Sequence, residues 1–532
     1  MNPSLPPGLF LITPGESPAA PVPGADAIGN KAHNLARMVR IGLRVPPAFV
    51  IGTAWCARAA TLGVADWLPA VQALEAATGR RLADPRRPLL LSVRSGAPVS
   101  MPGMMETLLN VGLNDAAVQG LVRSTGNPRL AWDAYRRLVA GYGEVVLGLP
   151  ASTFEGDLAA ITGDGGDERE LDFDAMRSLT RAHLRSIERL TGRPFPQNPQ
   201  VQLHEAIAAV FRSWQSEKAQ TYRRLKGIAD GIGTAVTVQA MVFGNAGGDS
   251  GAGVGFTRHP STGEPQPWVD YLFNAQGEDV VSGRRSALGH DELQAVAPGV
   301  WRELLDGTAQ LEAEFGDMQD FEFTVERGCL YWLQTRNGKR TPQATARIAL
   351  DLHDSGRIDR NEALRRTEEL DAEALSESLL ADATQGLAST ALARAQSACT
   401  GVAVGEIALD EARVRDRQAA GVATVLLRHD AETSDIGALE LASGLLTSRG
   451  ARTSHAAVVA RQLGKVCLVG CDALEIDLAA RRVRLAGREF AEGELLTLDG
   501  HAGAVHAGAL ERRVQVPQAL VARLQALRER RG

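Results

Sequence analysis

The run Asp320-Phe321-Glu322-Phe323-Thr324-Val325-Glu326-Arg327-Gly328-Cys329-Leu330-Tyr331-Trp332-Leu333-Gln334-Thr335-Arg336 reads as a β-hairpin. Polar and apolar residues alternate strictly from 320 to 325, Glu326-Arg327-Gly328 supplies a turn, and an apolar, aromatic strand returns. Side chains in a strand alternate between its faces, so Asp320 and Glu322 share one face. With a short turn, Gln334 falls almost opposite Asp320, and Arg336 lies one step further on that face. Two carboxylates, an amide and a guanidinium then converge. Such a set suits a polyphosphate carried on a hard divalent cation, because oxygen ligands hold the cation while the arginine offsets phosphate charge. The alternative is an ordinary polar sheet face.

Working outward, residues 234–243 also alternate, with Val236, Val238, Ala240 and Val242 against Thr237, Gln239 and Met241, which predicts a strand of the same region. Residues 25–110 mix short apolar strands with glycine-rich turns and read as α/β. Between these stretches, residues 114–227 switch to helical spacing. Over 128–146, Leu130, Tyr135, Leu138 and Tyr142 recur at intervals of three to five, as one face of an amphipathic helix. Residues 342–395 are helical again, and 388–400, rich in Ala, Ser, Thr and Gln, read as a linker. A second α/β unit follows, with strands at 421–427, 444–447 and 466–469 and a helix at 454–463. Residues 517–531 form one charged amphipathic helix that either docks on a partner or caps the second unit. The expected organisation is α/β and multidomain: 1–113 and 228–341 as two parts of one domain, 114–227 as a helical insertion, 342–400 as helices and linker, 401–510 as a second domain, and 511–532 as a terminal helix.

A chain of 532 residues exceeds what one core organises, so two to four domains are expected. The formal net charge of −6, without a long basic block, argues against nucleic acid as a partner. No apolar run approaches the roughly 20 residues a bilayer requires, and no basic region precedes the first apolar residues, so the expectation is a cytoplasmic protein without a membrane partner. Five cysteines, Cys56, Cys329, Cys399, Cys467 and Cys471, form neither a disulfide framework nor a paired zinc motif.

The stretch Gly444-Leu-Leu-Thr-Ser-Arg-Gly-Ala-Arg-Thr-Ser-His455-Ala-Ala-Val-Val-Ala-Arg461 places a histidine where a strand and loop give way to a helix. Thr453 and Ser454 are capping types, and residues 456–460 favour the helix. A phosphorylated imidazole at that position meets unpaired backbone N–H groups and the positive end of the helix dipole. Neutral imidazole is also a competent nucleophile near pH 7, with an unperturbed pKa of about 6.5. A structural histidine is the alternative.

Six ordered motifs carry a resemblance to a known family. They are the His455 stretch; Ser92-Val-Arg94-Ser-Gly-Ala; Ser100-Met-Pro-Gly-Met-Met-Glu106; Gly255-Phe-Thr-Arg258-His-Pro-Ser-Thr-Gly-Glu264; Asn274-Ala-Gln-Gly-Glu278-Asp-Val-Val; and Met318-Gln-Asp320-Phe-Glu322-Phe continuing through Gln334-Thr-Arg336-Asn-Gly-Lys-Arg340. Together they resemble the pyruvate, phosphate dikinase family over roughly residues 25–510. The resemblance implies an ATP-grasp domain with a helical insertion, followed by a swivelling phosphohistidine domain. It implies that Lys31 and Arg94 contact phosphates, that the loop containing Gly103 and Met104 closes over them, and that the strand with Gln239 and Met241 lines the adenine pocket. It further implies that Glu278 joins the nucleotide site, and that Asp320, Glu322 and Gln334 hold Mg2+ with Arg336 on the polyphosphate. By the same resemblance, His455 is expected to receive the β-phosphoryl group of ATP, with AMP released and the γ-phosphoryl group passed to inorganic phosphate to give pyrophosphate. Such transfer is positioning and charge neutralisation more than proton transfer.

Three departures from the family pattern bear on this reading. Gly29-Asn30-Lys31-Ala32 stands where the family carries Gly-Gly-Lys-Gly, which reduces backbone freedom beside the phosphate and favours the alternative of a degenerate protein that senses adenine nucleotide. Gly450-Ala451-Arg452-Thr453-Ser454-His455 stands for Gly-Gly-Met-Thr-Ser-His, so a cation is added that either steadies a phosphoryl group or faces solvent. Thr453 matches a threonine that is a regulatory phosphorylation site in plant members, and capping is its other role. Finally, relatives carry a C-terminal β/α barrel that binds pyruvate and needs about 250 residues. The residues after 510 are too few for it, so the expected acceptor is a separate protein or subunit.

Overall fold

The computed structural model describes residues 5–14, 21–99, 101, 105–163, 168, 171–281, 289–381, 391–430, 435–452 and 454–529; at 278, 281, 436, 455 and 456 it describes the backbone alone. The chain divides into two compact units, Met1–Ser250 with Cys329–Thr335, and Gly251–Gly328 with Arg336–Gly532. Among the described residues no helix is long and apolar enough to cross a membrane.

The first unit is built on an antiparallel five-stranded sheet in the order Leu9–Ile12, Ala48–Ile51, Ala235–Ala240, Leu91–Gly96, Thr107–Val111. Leu91, Val93, Val236 and Val238 face one side, where they meet Trp67, Leu138 and Leu203 from three helices in the main core. By alternation Arg94, Thr237 and Gln239 face the other side. The helix Ala25–Arg40, which carries Lys31, packs against these two strands. Between the strands, the described residues of 117–226 contribute six helices. One of them, Pro128–Val145, begins with Asn127 accepting the Leu130 N–H at 3.0 Å and proline in the first turn, where its missing N–H costs nothing. Its Leu130, Tyr135, Leu138 and Tyr142 are all buried, as their spacing predicts.

The second unit contains the strands Trp268–Phe273, Gly251–Phe256 and Gln319–Glu326, neighbours in that order; of the next strand, Cys329–Asn337, it holds only Arg336 and Asn337. Glycine at every second position of Gly-Ala-Gly-Val-Gly-Phe makes room for aromatic rings. A Cβ at Gly253 would lie 2.3 Å from Phe323 Cζ, and the Phe323 ring stacks on Tyr271 at 5.8 Å. Behind the sheet, Arg258 binds Glu312 through two hydrogen bonds of 2.7 and 2.8 Å and Asp351 at 3.0 Å, joining it to the helices Pro298–Phe315 and Pro342–Asp354.

An eight-stranded sheet forms the rest of this unit. Its strand order is Ala393–Arg394, Ala504–Ala507, Leu495–Asp499, Val402–Ala408, Thr424–Arg428, Gly444–Thr447, Val466–Val469, Gln396–Cys399. The three pairings in the middle of that order, from Val402–Ala408 to Val466–Val469, are parallel and the rest antiparallel. The helix His455–Gln462 connects the last two parallel strands. Where composition predicts a linker at 388–400, residues 393–399 instead form two edge strands, because Ala398 and Cys399 are small enough to be buried against neighbours supplied from much later in the chain. The tail also differs from the expectation. The helix Gln518–Glu529 buries Leu524 and Leu527 against Pro342–Asp354 and Arg360–Arg366, with Arg523 bonded to Asp351 and Asp354 at 2.9 and 2.8 Å. Just before it, Arg512–Gln515 pairs with Glu377–Leu380 as a two-stranded ribbon.

Candidate functional site

In the first unit the polar groups gather where the helix bearing Lys31 meets the end of the strand bearing Arg94. Gly29 interrupts that helix at φ +75°, and a Cβ there would lie 1.8 Å from the Gly96 carbonyl oxygen. Only glycine allows this approach. The Asn30 N–H donates to the Ala97 carbonyl at 3.1 Å. Asn30 and Ala32, which replace family glycines, are not among the residues with positive φ. The special backbone position therefore falls on the glycine that this chain retains. A Cβ at Gly96 would be 3.9 Å from both Lys31 Cβ and Thr237 Oγ1, so these side chains flank one spot. Arg94 and Thr237 are cross-strand partners, and the buried atoms Arg94 Nε and Thr237 Oγ1 have no hydrogen-bond partner among the described residues. Buried polar atoms left so are rare and mark a place for a polar ligand or water; a donor pair beside a lysine fits anionic oxygens. Gln239 is buried and donates Nε2 to the Pro46 carbonyl at 3.1 Å. Met241 packs against the edge of the core, and Gln334 lies on the strand Cys329–Asn337. Gly103 and Met104 lie outside the described residues.

In the second unit Asp320, Glu322 and Arg336 come together. Arg336 Nε donates to Asp320 Oδ2 at 2.7 Å. Sequence geometry with a short turn puts Gln334 opposite Asp320; instead Arg336 is the neighbour, because the Gly338 N–H donates to the Met318 carbonyl at 3.0 Å and Gln319 bonds Asn337 at 3.2 Å. Arg327 and Gly328, both at positive φ, make the turn between Glu326 and Cys329. Burial raises the Asp320 pKa, the nearby Glu322 adds to the rise, and Arg336 opposes both. On Arg336, burial works to lower the pKa, but Asp320 and Glu322 outweigh it and hold the guanidinium firmly charged. A buried carboxylate in this state favours a cation. Among the described residues no three His, Cys, Asp or Glu side chains cluster as a metal cage, so a divalent ion on this oxygen pair would take its other ligands from phosphate, amide or water.

The strand register extends this site across the sheet. Phe256 lies opposite both Trp268 and Asp320, and Val254 lies opposite both Asp270 and Glu322. Trp268, Asp270, Asp320 and Glu322 therefore share one face. The His455 segment rests on that face. Arg452 binds Asp270 through Nε at 3.0 Å and through Nη2, and its guanidinium lies 4.3 Å above the Trp268 ring. Arg452 thus neither faces open solvent nor stands free for a phosphoryl group, the two expectations from sequence. Arg461 is fully buried over Phe256 and Trp268, at 5.2 and 5.3 Å. His455 is the first residue of its helix; Ser454 is the cap, accepting the Ala457 N–H at 3.4 Å. Its side chain, that of Glu278 in the helix Gly277–Val281, and all of Thr453 lie outside the described residues. Nearby His259 is neutral at physiological pH. Burial, reinforced by Arg461, lowers its pKa to about 4, and its Nδ1 accepts the Ser261 N–H at 3.2 Å.

Residues 65–293 match the family described as pyruvate phosphate dikinase, AMP/ATP-binding domain, and residues 422–503 match the family described as PEP-utilising enzyme, mobile domain. The chain thus carries regions similar to the AMP/ATP-binding domain and the mobile domain of pyruvate, phosphate dikinases. Pyruvate, phosphate dikinase of Clostridium symbiosum is 42% identical over 496 residues, 91% of this chain and 56% of the relative. That of Rhizobium meliloti (strain 1021) is 41% identical over 504 residues, again 91% and 56%, and pyruvate, phosphate dikinase 2 of Oryza sativa subsp. japonica is 41% identical over 493 residues, 91% and 55%. The chain thus spans little more than half the length of these dikinases. The AMP/ATP-binding match includes Arg94, Gln239 and Asp270, and the mobile-domain match includes His455 with the three strands around it. Trp268, Asp270, Arg461 and Thr237 were not singled out from sequence as site residues. One signal for them was legible: an aspartate in the middle of the apolar strand Trp-Val-Asp-Tyr-Leu-Phe must find a cation if it is buried.

Proposed function

We propose that this chain is a phosphotransferase with paired acceptors that forms a phosphohistidine on His455 from ATP and inorganic phosphate, releasing AMP and pyrophosphate. Lys31, Arg94 and Arg336 carry the polyphosphate, and Gly103, Met104, Gln239, Met241, Glu278 and Gln334 complete the nucleotide site. Asp320 and Glu322, with Gln334, would hold Mg2+, which would supply neutralisation of the polyphosphate charge. A neutral imidazole nitrogen of His455 forms a bond to the β-phosphorus while the α–β bridging P–O bond breaks, and AMP departs. An oxygen of inorganic phosphate then bonds to the γ-phosphorus, the β–γ bridge breaks, and pyrophosphate leaves the β-phosphoryl group on the ring. No general base is required when the imidazole attacks in its neutral form, the form in which an unperturbed histidine predominates near pH 7.

The observation that carries this reading is the shared sheet face. The segment bearing His455 is seated on the same face as Asp320 and Glu322. For the onward step we infer an acceptor bound by a separate protein or subunit, with pyruvate, as in the relatives' name, the molecule to try first. The His455 domain must then leave the sheet after phosphorylation, which makes it a swivelling element.

Incubation with β-labelled or γ-labelled ATP plus phosphate tests the first half. Label is expected on His455 from the β position only, as an acid-labile adduct, and His455→Asn should abolish AMP formation. AMP at an undiminished rate in that variant refutes the proposal. Nucleotide binding without any label favours the degenerate sensor, a reading weakened by the retention of Gly29 at the position that requires glycine.

A further inference from the structure

We propose that Arg452 is a docking residue: it clamps the His455 loop onto the nucleotide-side sheet and thereby positions the imidazole for phosphorylation. The inference rests on the phosphohistidine reading above, and it concerns a residue at which this chain departs from the family pattern.

Three kinds of contact meet in the Arg452 guanidinium. It forms a two-nitrogen pair with Asp270, donates to the Val269 carbonyl at 3.4 Å, and stacks on Trp268. Planar guanidinium suits all three at once, where a methionine or lysine would satisfy only some. The Asp270 side chain is fully buried, whereas that of Arg452 is 19% exposed. The anion is thus the fixed socket and the cation the insert, reachable by water when the segment lifts away. The sequence separation of 182 residues between the partners makes the pair a clamp between distant segments rather than a local turn.

Arg461 completes the clamp from the other side of His455. Its guanidinium donates to the Ala398 carbonyl at 3.1 and 2.8 Å and to the Arg452 carbonyl at 3.2 Å, while lying over Phe256 and Trp268. It fixes the backbone that carries Arg452, and its own domain holds it. Arg452 and Arg461 therefore bracket His455, three residues before and six after, and both rest on the aromatic row that continues through Phe256 to Asp320. Rigid placement of a nucleophile is most of what this type of transfer needs. A clamp made of one exposed-edge arginine, rather than of an apolar patch, can also open in each cycle.

The test uses Arg452→Met, Arg452→Lys and Asp270→Asn in the full chain. Single-turnover labelling by β-labelled ATP, equilibrium nucleotide affinity, and hydrogen exchange of the strand Trp268–Phe273 are measured on each. Arg452→Met should slow histidine labelling by about tenfold or more, the scale of a lost bidentate charge pair, while nucleotide affinity stays within about twofold, since its partners Asp270, Val269 and Trp268 are not among the nucleotide-site residues proposed above. Arg452→Lys should fall between wild type and Arg452→Met. The double variant Arg452→Met/Asp270→Asn should be no slower than the single one, as expected of coupled partners. Exchange in Trp268–Phe273 should rise in Arg452→Met. Labelling at the wild-type rate together with unchanged exchange overturns the proposal, and so does an equal loss of nucleotide affinity. If wild type itself takes no label, the phosphohistidine reading fails separately, and exchange alone then decides whether Arg452 docks the domain.

Discussion

His183 shows how a single residue can set the pH behaviour of a unit. It is buried among the inserted helices, its Nδ1 lies 3.0 Å from Asp157, and Ser186 donates to the other oxygen of that carboxylate at 2.9 Å. Burial is the largest influence and lowers its pKa to about 4, with Asp157 opposing. In the unfolded chain the ring titrates at about 6.5. Below that value the unfolded state binds the proton and the folded state does not, so stability is fully present above pH 6.5 and is lost as pH falls toward 4. Between pH 7 and pH 5 the loss should be about 2 kcal/mol, measured by denaturant unfolding of the first unit. His183→Gln removes the titration and should flatten that slope; an unchanged slope would show that the proton goes elsewhere. Gly29 teaches a different lesson at the same scale. Sequence comparison draws the eye to the two glycines replaced by Asn30 and Ala32, but the steric demand sits on the one glycine kept, and only the 1.8 Å approach to Gly96 reveals it.

The strand Gly251–Phe256 is defined by what it lacks. Glycine at 251, 253 and 255 leaves a groove for the rings of Tyr271, Phe321 and Phe323. Gly253→Ala should destabilise the second unit by about 2 kcal/mol, because the added methyl meets Phe323 within a tightly packed layer. Combining it with Phe323→Leu should recover part of that loss, and strict additivity of the two changes in a melting experiment would contradict the packing account. Alternation made the neighbouring strand legible from sequence: Asp320 and Glu322 share a face because period two is local and unambiguous. The partner across the turn was less legible, since register is not encoded locally, and Arg336 rather than Gln334 is the group bonded to Asp320. The edge strands at 393–399 were read as linker for a related reason. Small residues give no hydrophobic period, and the pairing of Ala393 with Val505 and of Arg394 with Ala504 spans more than a hundred residues that no local pattern encodes. The same limit hid the docking face, for Arg452 and Asp270 are ordinary residues until the fold brings them together.

At the scale of the whole chain, sequence order and spatial order part company. The chain passes between its two compact units at 250, 328 and 335, so the hairpin that sequence reads as one motif contributes residues to both. The end of the chain behaves similarly. After the eight-stranded sheet, residues 512–515 return to pair with 377–380, and the helix Gln518–Glu529 packs on helices that precede that sheet. The terminal helix is therefore part of the second unit's stability rather than an appendage. Leu524 and Leu527 are 2% and 4% exposed, and they meet Ala346, Leu350, Ala363 and Leu375. Replacing both leucines with alanine should cost about 4 kcal/mol, taking the low end of the usual range for each because the helix lies at the edge of the unit and can partly relax. The ion pairs of Arg523, half-exposed, should add little by comparison. Since chains with separate cores do not melt as one, the loss should appear in calorimetry as a lowered transition for the second unit, with the first unit's transition unmoved. Movement of both transitions together would mean that the two units unfold as a single cooperative body. Movement of neither would mean that the helix is held by its polar bonds, Arg523 to Asp351 and Asp354 and Arg528 to the carbonyls of Thr367 and Leu370, and that the buried leucines contribute far less than their exposure implies.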